Sequence, residues 1–258
     1  MQEALKIILV QTELIWENPE KNRTLLTKKL KGLKDDVDVV VLPEMFTTGF
    51  TMFPENIEVK EGLKTLEWMK LMATEMNAAV VGSIVFKEEG AYFNRLWFVK
   101  PDGGATSYDK RHTFTLAGEH KKYLAGTKRL VETYKGFRFC PLICYDLRFP
   151  VWSRNNEDYD VVLYVANWPK PRIEAWDTLL KARAIENMVY SIGVNRIGTD
   201  NVGHEYPGHS SVYDALGKQI AFSDQEALIE VTIDKNHIKS TRERLPFLDD
   251  KDAFNLIN

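Results

Sequence analysis

Two runs of consecutive apolar residues place the strongest constraint on how this chain can fold. They are "VDVVVLPE" at residues 37–44 and "DVVLYVANW" at residues 160–168, and both have the length of a β-strand. Strands exposed on one face alternate apolar with polar residues, whereas near-continuous apolar strands are buried on both faces. The sequence therefore predicts an α/β fold in which at least one sheet is covered by helices.

The order of the other elements supports this fold class. Segments with helical spacing of apolar residues alternate with short β-branched segments. Strands are predicted at residues 5–13, 37–44, 78–86, 91–100, 136–144, 160–168, 191–198 and 227–234, with two more around the "DALG" turn in 209–222. Helices are predicted at residues 18–34, 62–77, 149–156 and 172–190, and a charged tail follows Asp234. No repeat or linker interrupts the pattern, so we expect a single domain over residues 1–258.

Charge and composition argue against several classes of function. The formal net charge of −3 offers no basic surface of the kind that binds nucleic acid. No apolar segment approaches the roughly 20 residues that a membrane-spanning helix needs, and the N-terminal apolar run is too short for a signal peptide. The chain has only two cysteines, too few for a disulfide framework. We therefore expect a cytoplasmic protein that binds neither nucleic acid nor membrane.

Three residues that can carry chemistry follow predicted strands. Glu44 closes "VVVLPE", Lys110 lies in "SYDKRH", and Cys144 follows "CPLI". Functional groups of α/β proteins gather where strands leave the core, because loops there can vary without disturbing the packing. A thiol needs a neighbouring base or cation to act as a nucleophile, and a glutamate and a lysine supply both. Spacing alone leaves a structural alternative for each residue: a core cysteine, a solvated lysine and a loop-capping glutamate.

Several segments, taken in chain order, carry a resemblance to a known family. They are "LPEMFTTGF", "YDKRHTF", "GEHKKYLAG", "LICYDLRFPVWSR", "VVLYVANWP", "KARAIENMVYSIGVNRIGTD" and "GHSSVYDALGKQI". They resemble the signature segments of the nitrilase superfamily of carbon–nitrogen hydrolases, and the resemblance extends from about Leu5 to about Asp234. Within that superfamily, "CYDLRFP" and "NRIGTD" are most similar to the ω-amidase branch, which hydrolyses the terminal amide of short keto-acid amides.

The resemblance implies a fold and a set of catalytic residues. The family fold is a four-layer α-β-β-α sandwich of two stacked mixed sheets, and its members usually form dimers through the helical face. By the resemblance, Glu44 is the general base, Lys110 stabilises the oxyanion, and Cys144 is the nucleophile. Glu119, in "LAGEH", matches a second glutamate that positions the substrate and orients the lysine. No cofactor is implied, and the partner is a small-molecule amide.

Three further residues are predicted to bind the substrate. The backbone N–H of Tyr145, directly after the thiol, would be the second donor to the oxyanion. Trp168 could line the pocket. Arg148 could bind the carboxylate at the far end of an ω-amide, because its planar guanidinium suits a carboxylate. The structural alternative for Arg148 is an ion pair with Asp146 or another acid.

Other functions remain open at this point. A related amidase, nitrilase or carbamoylase would have the same three residues and a different pocket. A catalytically silent scaffold or partner-binding subunit would keep the fold, and an amide-transfer enzyme would need a synthetase domain for which the chain has no length. A zinc site at the two cysteines with His112 and His120 lacks a second matching half of the motif, so no metal is expected.

The two cysteines are predicted to differ in function. Cys144→Ala should lose essentially all turnover and remain folded, because a covalent mechanism requires the sulfur. Cys140→Ala should lose stability at most, because Cys140 is predicted to fill space inside a strand. Measured rates of amide hydrolysis and thermal melting curves check both variants. An inactive Cys140→Ala beside an active Cys144→Ala would show that the motif is misaligned.

Overall fold

The structure, a computed structural model, describes residues 3–33 and 36–256. Its strands are β1 (Ala4–Gln11), β2 (Val39–Val41), β3 (Ala79–Glu88), β4 (Ala91–Val99), β5 (Ala105–Asp109), β6 (Glu132–Tyr134), β7 (Phe137–Ile143), β8 (Val161–Ala166), β9 (Tyr190–Asn195), β10 (Ile197–Thr199), β11 (Glu205–Pro207), β12 (Ser210–Tyr213), β13 (Gln219–Ser223) and β14 (Ala227–Asp234). Its α-helices are α1 (Pro19–Leu30), α2 (Lys60–Met76), α3 (Ile173–Asn187) and α4 (Lys235–Arg244). Short 3₁₀ turns lie at Pro54–Asn56, Thr115–Ala117, Glu119–Lys121, Cys144–Arg148 and Lys170–Arg172.

The strands form two mixed six-stranded sheets. In the first sheet the order is β14-β1-β2-β3-β4-β5, and in the second it is β13-β12-β9-β8-β7-β6. The central strands β1, β2 and β3 are parallel, as are β7, β8 and β9, and the outer strands pair antiparallel. The strands β10 and β11 form a separate two-stranded ribbon. Both sheets therefore have a parallel centre, which is typical of strands that are buried on both faces.

The sheets stack face to face, and helices cover their outer faces. Side chains of β1 alternate between two clusters: Ile7 and Leu9 face the second sheet, whereas Ile8 and Val10 pack with residues of α1 and α2. Helix α3 packs on the second sheet, since its Trp176 and Leu180 lie directly over Gly193 of β9. This arrangement confirms the predicted four-layer α-β-β-α sandwich.

Strands of both sheets end close to the candidate residues. Strand β2 ends three residues before Glu44, β5 ends immediately before Lys110, and β7 ends immediately before Cys144. The predicted strand at residues 37–44 is shorter than expected and occupies Val39–Val41. Pro43 has no N–H to donate to the sheet, so the backbone turns there and brings Glu44 out of the strand.

The predicted helix at residues 149–156 is wrong. The helical turn lies earlier, as the 3₁₀ segment Cys144–Arg148. Phe149 leaves the helical conformation, with φ of −114° and ψ of 88°, and its ring stacks flat on His112, with ring centroids 3.7 Å apart. Only a turn at residues 150–153 follows it.

The charged tail predicted after Asp234 contains helix α4. Asp234 caps this helix, because its side chain accepts a hydrogen bond from the N–H of Asn236. Helices α1 and α3 are shorter than predicted, whereas α2 begins two residues earlier than predicted and ends one residue earlier. Helix α3 stops where Met188 adopts a left-handed conformation with φ of 52°. The predicted end of the first helix at Lys34 lies outside the described residues. Among the described helices, none has the length and apolar character needed to cross a bilayer.

A glycine allows helix α3 to approach strand β9 closely. A Cβ atom on Gly193 would lie 2.3 Å from Leu180 Cδ1 and 2.6 Å from Trp176 Cζ2, both buried side chains of α3. Gly193→Ala should therefore lower the free energy of unfolding by about 1–3 kcal/mol, because overpacking forces the helix away from the sheet. Urea denaturation measures the change. Gly32→Ala is the control, since its Cβ would make only an ordinary 3.4 Å contact, and equal stability of Gly193→Ala and wild type would contradict the close approach.

Candidate active site

The centre of the site is the ammonium group of Lys110, which is buried together with two carboxylates. Its Nζ atom lies 2.8 Å from Glu44 Oε1 and 2.9 Å from Glu119 Oε2. The side chains of both glutamates are 0% exposed, and that of Lys110 is 1% exposed. A buried charge is tolerated only when it is paired and hydrogen-bonded. The three charged side chains are therefore stable in the interior only because the fold brings them together.

Two asparagines complete the hydrogen bonds of these carboxylates. Asn94, in the middle of β4, donates from Nδ2 to Glu44 Oε1 at 2.8 Å and to Glu119 Oε1 at 3.2 Å. Asn167, just after β8, donates its backbone N–H to Glu44 Oε2 at 2.8 Å and its side-chain amide to the Glu44 carbonyl at 2.6 Å. Strand β4 belongs to the first sheet and β8 to the second, so Glu44 is held from both sheets.

Burial and charge shift the ionisation of this cluster. Burial alone would lower the pKa of Lys110, but the carboxylates of Glu119 and Glu44 raise it above its ordinary value. Burial, reinforced by the neighbouring Glu44, raises the pKa of Glu119, while Lys110 opposes the rise. One ammonium cannot fully compensate two carboxylates at this distance. The lysine is therefore cationic at neutral pH, and its single positive charge does not fully balance the two carboxylates.

Cys144 begins the 3₁₀ turn at the end of β7 in a strained conformation. Its φ of 45° is in the left-handed region, which non-glycine residues rarely occupy. Its side chain is nearly buried, with Sγ 4.0 Å from the carbonyl oxygen of Asn167. Burial and the carboxylate of Glu44 raise the pKa of this thiol, although Lys110 lowers it. The free site therefore contains a protonated thiol beside a carboxylate that can accept the proton.

Asp146 joins two segments: the turn that contains Cys144 and the strand that ends before Lys110. Its buried carboxylate accepts hydrogen bonds from the Ile143 N–H at 3.0 Å and the Tyr108 hydroxyl at 2.8 Å. It also accepts from the backbone N–H of His112 at 3.0 Å and lies 2.8 Å from the His112 ring nitrogen Nδ1. Residues of the first sheet and the second sheet thus meet at one carboxylate, which sets the separation of the thiol and the ammonium.

A cavity of about 460 Å³ opens beside these groups. Lys110 and Cys144 line it, together with Tyr145, Arg148 and Trp168, the three residues predicted to bind substrate. Glu44 and Glu119 lie behind this lining and contact it through Lys110. The structure thus brings all seven predicted residues together around one cavity.

Arg148 has no acidic partner among the described residues. Its guanidinium lies over the ring of Trp168, 5.0 Å from the ring centre, and no hydrogen bond or ion pair joins it to an acid within residues 3–33 and 36–256. Asp146, its predicted structural partner, is bonded instead to Ile143, Tyr108 and His112. The ion-pair alternative for Arg148 is therefore not what the structure contains. An unpaired guanidinium at the wall of a cavity is free to bind an anion.

The other residues named in the sequence analysis lie in the core or in an ion pair outside the cavity. Cys140 is fully buried in the core between the sheets, and burial raises the pKa of its thiol to about 12. Trp176 is also fully buried, and Arg183 pairs with Glu186 at 2.8 Å. In the part of the chain that the structure describes, no three or more His, Cys, Asp or Glu side chains form a cluster suited to a metal ion.

Sequence reasoning missed Asn94, Asn167 and Arg172. Asn94 lies inside a strand and Asn167 within an apolar segment, and a single asparagine in either place carries no sequence signal of function. The identities of their hydrogen-bond partners appear only when the sheets stack. Arg172 lines the cavity from the 3₁₀ turn Lys170–Arg172, and its place in "NWPKPR", four residues after Trp168, was the available signal.

The arrangement has the groups that acyl transfer requires. A carboxylate beside a thiol can accept its proton, and a cation beside the same thiol can stabilise an oxyanion. The backbone N–H groups in the first turn of a helical segment lack partners within the helix, so that of Tyr145 is available as a second donor. Cys144, Lys110 and Tyr145 line one cavity and Glu44 lies directly behind Lys110, an arrangement that such chemistry requires.

Known proteins resemble this chain over nearly its whole length. A sequence profile of the carbon-nitrogen hydrolase family matches residues 6–243. The omega-amidase YafV of Yersinia enterocolitica is 43% identical over 98% of this chain and 99% of that protein. A 2-oxoglutaramate amidase of Bacillus subtilis (strain 168) is 32% identical over 91% of each. The crystal structure of XC1258 from Xanthomonas campestris, a CN-hydrolase superfamily protein, superposes with a TM-score of 0.96 at 41% identity, covering 99% of this chain and 100% of that one.

The fold agrees with these similarities, because the stacked mixed sheets match a carbon-nitrogen hydrolase over the full length of the chain. The family profile covers every strand except the first two residues of β1, and all but the last residue of α4. The chain therefore belongs to the carbon-nitrogen hydrolase family, the nitrilase superfamily, and is an amidohydrolase that acts on carbon–nitrogen bonds.

Proposed function

We propose that this protein hydrolyses the terminal amide of short ω-amido dicarboxylates with a 2-oxo group, such as 2-oxoglutaramate or 2-oxosuccinamate, to the acid and ammonia. The unpaired guanidinium of Arg148 in the cavity that holds Cys144 is the observation that carries the proposal. The names of two relatives, an omega-amidase and a 2-oxoglutaramate amidase, support the same class of substrate.

The first step forms a thioester. The Sγ atom of Cys144 attacks the amide carbonyl while its proton moves to the Glu44 carboxylate, and a carbon–sulfur bond forms. The carbonyl electron pair moves onto oxygen, and the Lys110 ammonium and the Tyr145 N–H stabilise the resulting oxyanion. When the oxyanion collapses, the carbon–nitrogen bond breaks, and the protonated Glu44 donates its proton to the departing ammonia.

The second step regenerates the thiol. A water molecule enters the position vacated by ammonia, and the Glu44 carboxylate takes its proton as the oxygen attacks the thioester carbonyl. The same two donors stabilise the second oxyanion, and its collapse breaks the carbon–sulfur bond. The departing sulfur of Cys144 receives the proton held by Glu44. Carboxylate, ammonium and thiol together supply every proton transfer and charge stabilisation, so the mechanism has no task for a cofactor.

Glu119 keeps the lysine cationic and oriented. It contacts Lys110 Nζ through both carboxylate oxygens, at 2.9 and 3.1 Å, and accepts a hydrogen bond from the backbone N–H of Phe114. When Glu44 becomes protonated during the reaction, Glu119 is the remaining anion beside Lys110. It thereby holds the ammonium in place at the moment when the oxyanion needs it.

Alternative activities differ in the pocket or in the state of the thiol. A nitrilase, a carbamoylase or another amidase would use the same cysteine with a different far end of the pocket, so a substrate panel separates them from the proposal. A silent scaffold would lack a reactive Cys144, and labelling with iodoacetamide separates it. An amide-transfer role would need a second active site to receive the ammonia.

Two further proposals concern assembly and compartment. A homodimer through the helical face is implied by the resemblance, and exposed apolar side chains on and beside α3, Ile185 and Leu216, support it. A cytoplasmic location is supported by two free, buried cysteines, because reducing compartments keep thiols unpaired.

The proposed mechanism predicts that Glu44 and Lys110 act as one unit. Glu44→Gln and Lys110→Met should each lower kcat by about 10²–10³-fold or more, because one loses the base and the other an oxyanion donor. The double variant should lose far less than the product of the two single effects, since members of a catalytic unit fail together. Steady-state kinetics of ammonia release measures all three rates.

The matched control for this experiment is Lys122→Met. Lys122 pairs with Glu55 on the protein surface, one turn from Glu119, so its loss removes a lysine near the site without touching the buried cluster. This variant should retain wild-type kcat. Circular dichroism verifies that each variant is folded. Independent, multiplicative effects of Glu44→Gln and Lys110→Met would show that the two side chains do not share a site.

The proposed substrate class predicts a strong preference for a carboxylate. Wild type should hydrolyse succinamate far faster than butyramide, which has the same four-carbon amide without the charge. Arg148→Met should reduce this preference by about 10²-fold or more, because an unpaired buried carboxylate costs several kcal/mol. Values of kcat/KM for the two amides test the prediction. Equal turnover of both amides by wild type would place the protein outside the ω-amidase branch, and equal losses in the variant would make Arg148 structural.

A further inference from the structure

A second guanidinium lines the same cavity. Arg172 ends the 3₁₀ turn Lys170–Arg172, is half-buried, and lies over the ring of Phe114 at 5.3 Å from its centre. Within residues 3–33 and 36–256, no carboxylate pairs with its side chain. A guanidinium held against an aromatic ring is positioned without being neutralised. Arg172 therefore presents five N–H donors and a positive charge for a bound molecule.

Trp168 holds both cavity arginines. The face of its indole ring carries the guanidinium of Arg148, while its Nε1–H donates to the backbone carbonyl of Arg172 at 2.7 Å. Trp168 is itself 3% exposed, and its backbone N–H donates to Asn195 Oδ1 at 2.7 Å. Trp168 thus contacts the guanidinium of Arg148 with its face and the backbone of Arg172 with its edge. Both arginines therefore reach the cavity from beside one rigid side chain.

The charged side chains around the cavity differ in whether another group is bonded to them. Lys110 is compensated by two glutamates, and Asp200 accepts a hydrogen bond from the Tyr206 hydroxyl at 2.9 Å and lies 3.1 Å from His204 Nδ1. The carboxylate of an ω-amide compensates one guanidinium. The other guanidinium has no carboxylate bonded to it among the described residues, and an ammonium group placed directly beside it would be repelled.

We infer that Arg172 is a specificity-determining residue, which donates a hydrogen bond to the 2-oxo oxygen of the substrate and excludes a 2-ammonium group. The inference rests on the proposed function. A 2-oxo acid has its carboxylate and its oxo oxygen on neighbouring atoms, so two cationic donors that border one aromatic side chain in one cavity match it: Arg148 binds the carboxylate, and Arg172 binds the oxygen beside it. An amino-acid amide of the same length has a cation at that position.

Four amides of equal carbon number isolate this contact. Butyramide has only the amide, succinamate adds the carboxylate, 2-oxosuccinamate adds the oxo group to succinamate, and asparagine has an ammonium in its place. The ratio of kcat/KM for 2-oxosuccinamate to that for succinamate measures the oxo contact alone. The ratio for succinamate to butyramide measures the carboxylate contact alone.

Arg172→Met should lower the 2-oxosuccinamate to succinamate ratio by about 10- to 100-fold, because a hydrogen bond from a charged donor is lost. The succinamate to butyramide ratio should stay within about twofold of wild type, and the rate for asparagine relative to 2-oxosuccinamate should rise. Arg172→Lys, which keeps the charge, should retain the discrimination against asparagine. Arg138→Met, which removes an exposed arginine of β7, is the control and should match wild type in every ratio.

Binding measurements keep the test independent of turnover and of damage to the catalytic residues. In the Cys144→Ala background, isothermal calorimetry of 2-oxosuccinamate and succinamate should show the same selective loss when Arg172→Met is added. Equal weakening of both ligands would make Arg172 a second carboxylate donor and overturn the inference. A wild-type enzyme that prefers succinamate to butyramide but ignores the oxo group would also overturn it, while leaving the proposed function intact. A wild type without any carboxylate preference would overturn both.

Discussion

The active site depends on one buried cation, the ammonium of Lys110. An ammonium removed from water loses hydration worth several kcal/mol, which only close and well-placed anions offset. Glu44 and Glu119 provide these anions at 2.8 and 2.9 Å, and Asn94 bridges the two carboxylates with its amide. Without the others, each of these side chains would be a buried polar or charged group that lacks a partner. The loops that bear them are therefore fixed by electrostatics as much as by packing.

The same cluster keeps its net charge constant through the proposed reaction. Before attack, two carboxylates, one ammonium and a neutral thiol sum to one negative charge. When the thiol proton moves to Glu44 and the oxyanion forms, the sum is still one negative charge, because Glu119 remains ionised. A buried site resists changes in total charge more strongly than shifts of charge within it. In the proposed reaction the Lys110 ammonium, which faces two carboxylates before attack, thus faces one carboxylate and the oxyanion afterwards, and no counter-ion from solvent is needed.

The sequence identifies the chemical groups better than their surroundings. Glu44, Lys110 and Cys144 could be predicted because each follows a strand, but only the family resemblance indicated that they meet, since spacing does not encode how two sheets stack. Asn94 could not be predicted: a polar residue within a strand normally indicates a solvent-facing position, whereas this one faces buried carboxylates. Helix α4 was missed because only Ile238 and Thr241 on it are buried, so its apolar face is too narrow to give a periodic pattern. The single-domain organisation stays a prediction.

The pairing of the first and last strands has a consequence for biosynthesis. Strand β1 lies between β2, which leads to Glu44, and β14, at residues 227–234. During translation the N-terminal strand has one neighbour in place and an open edge until nearly the whole chain has emerged from the ribosome. Such an edge invites pairing with other nascent chains. Completion of the first sheet therefore waits for β14, and regain of hydrolysis during refolding would time the pairing of β14 with β1.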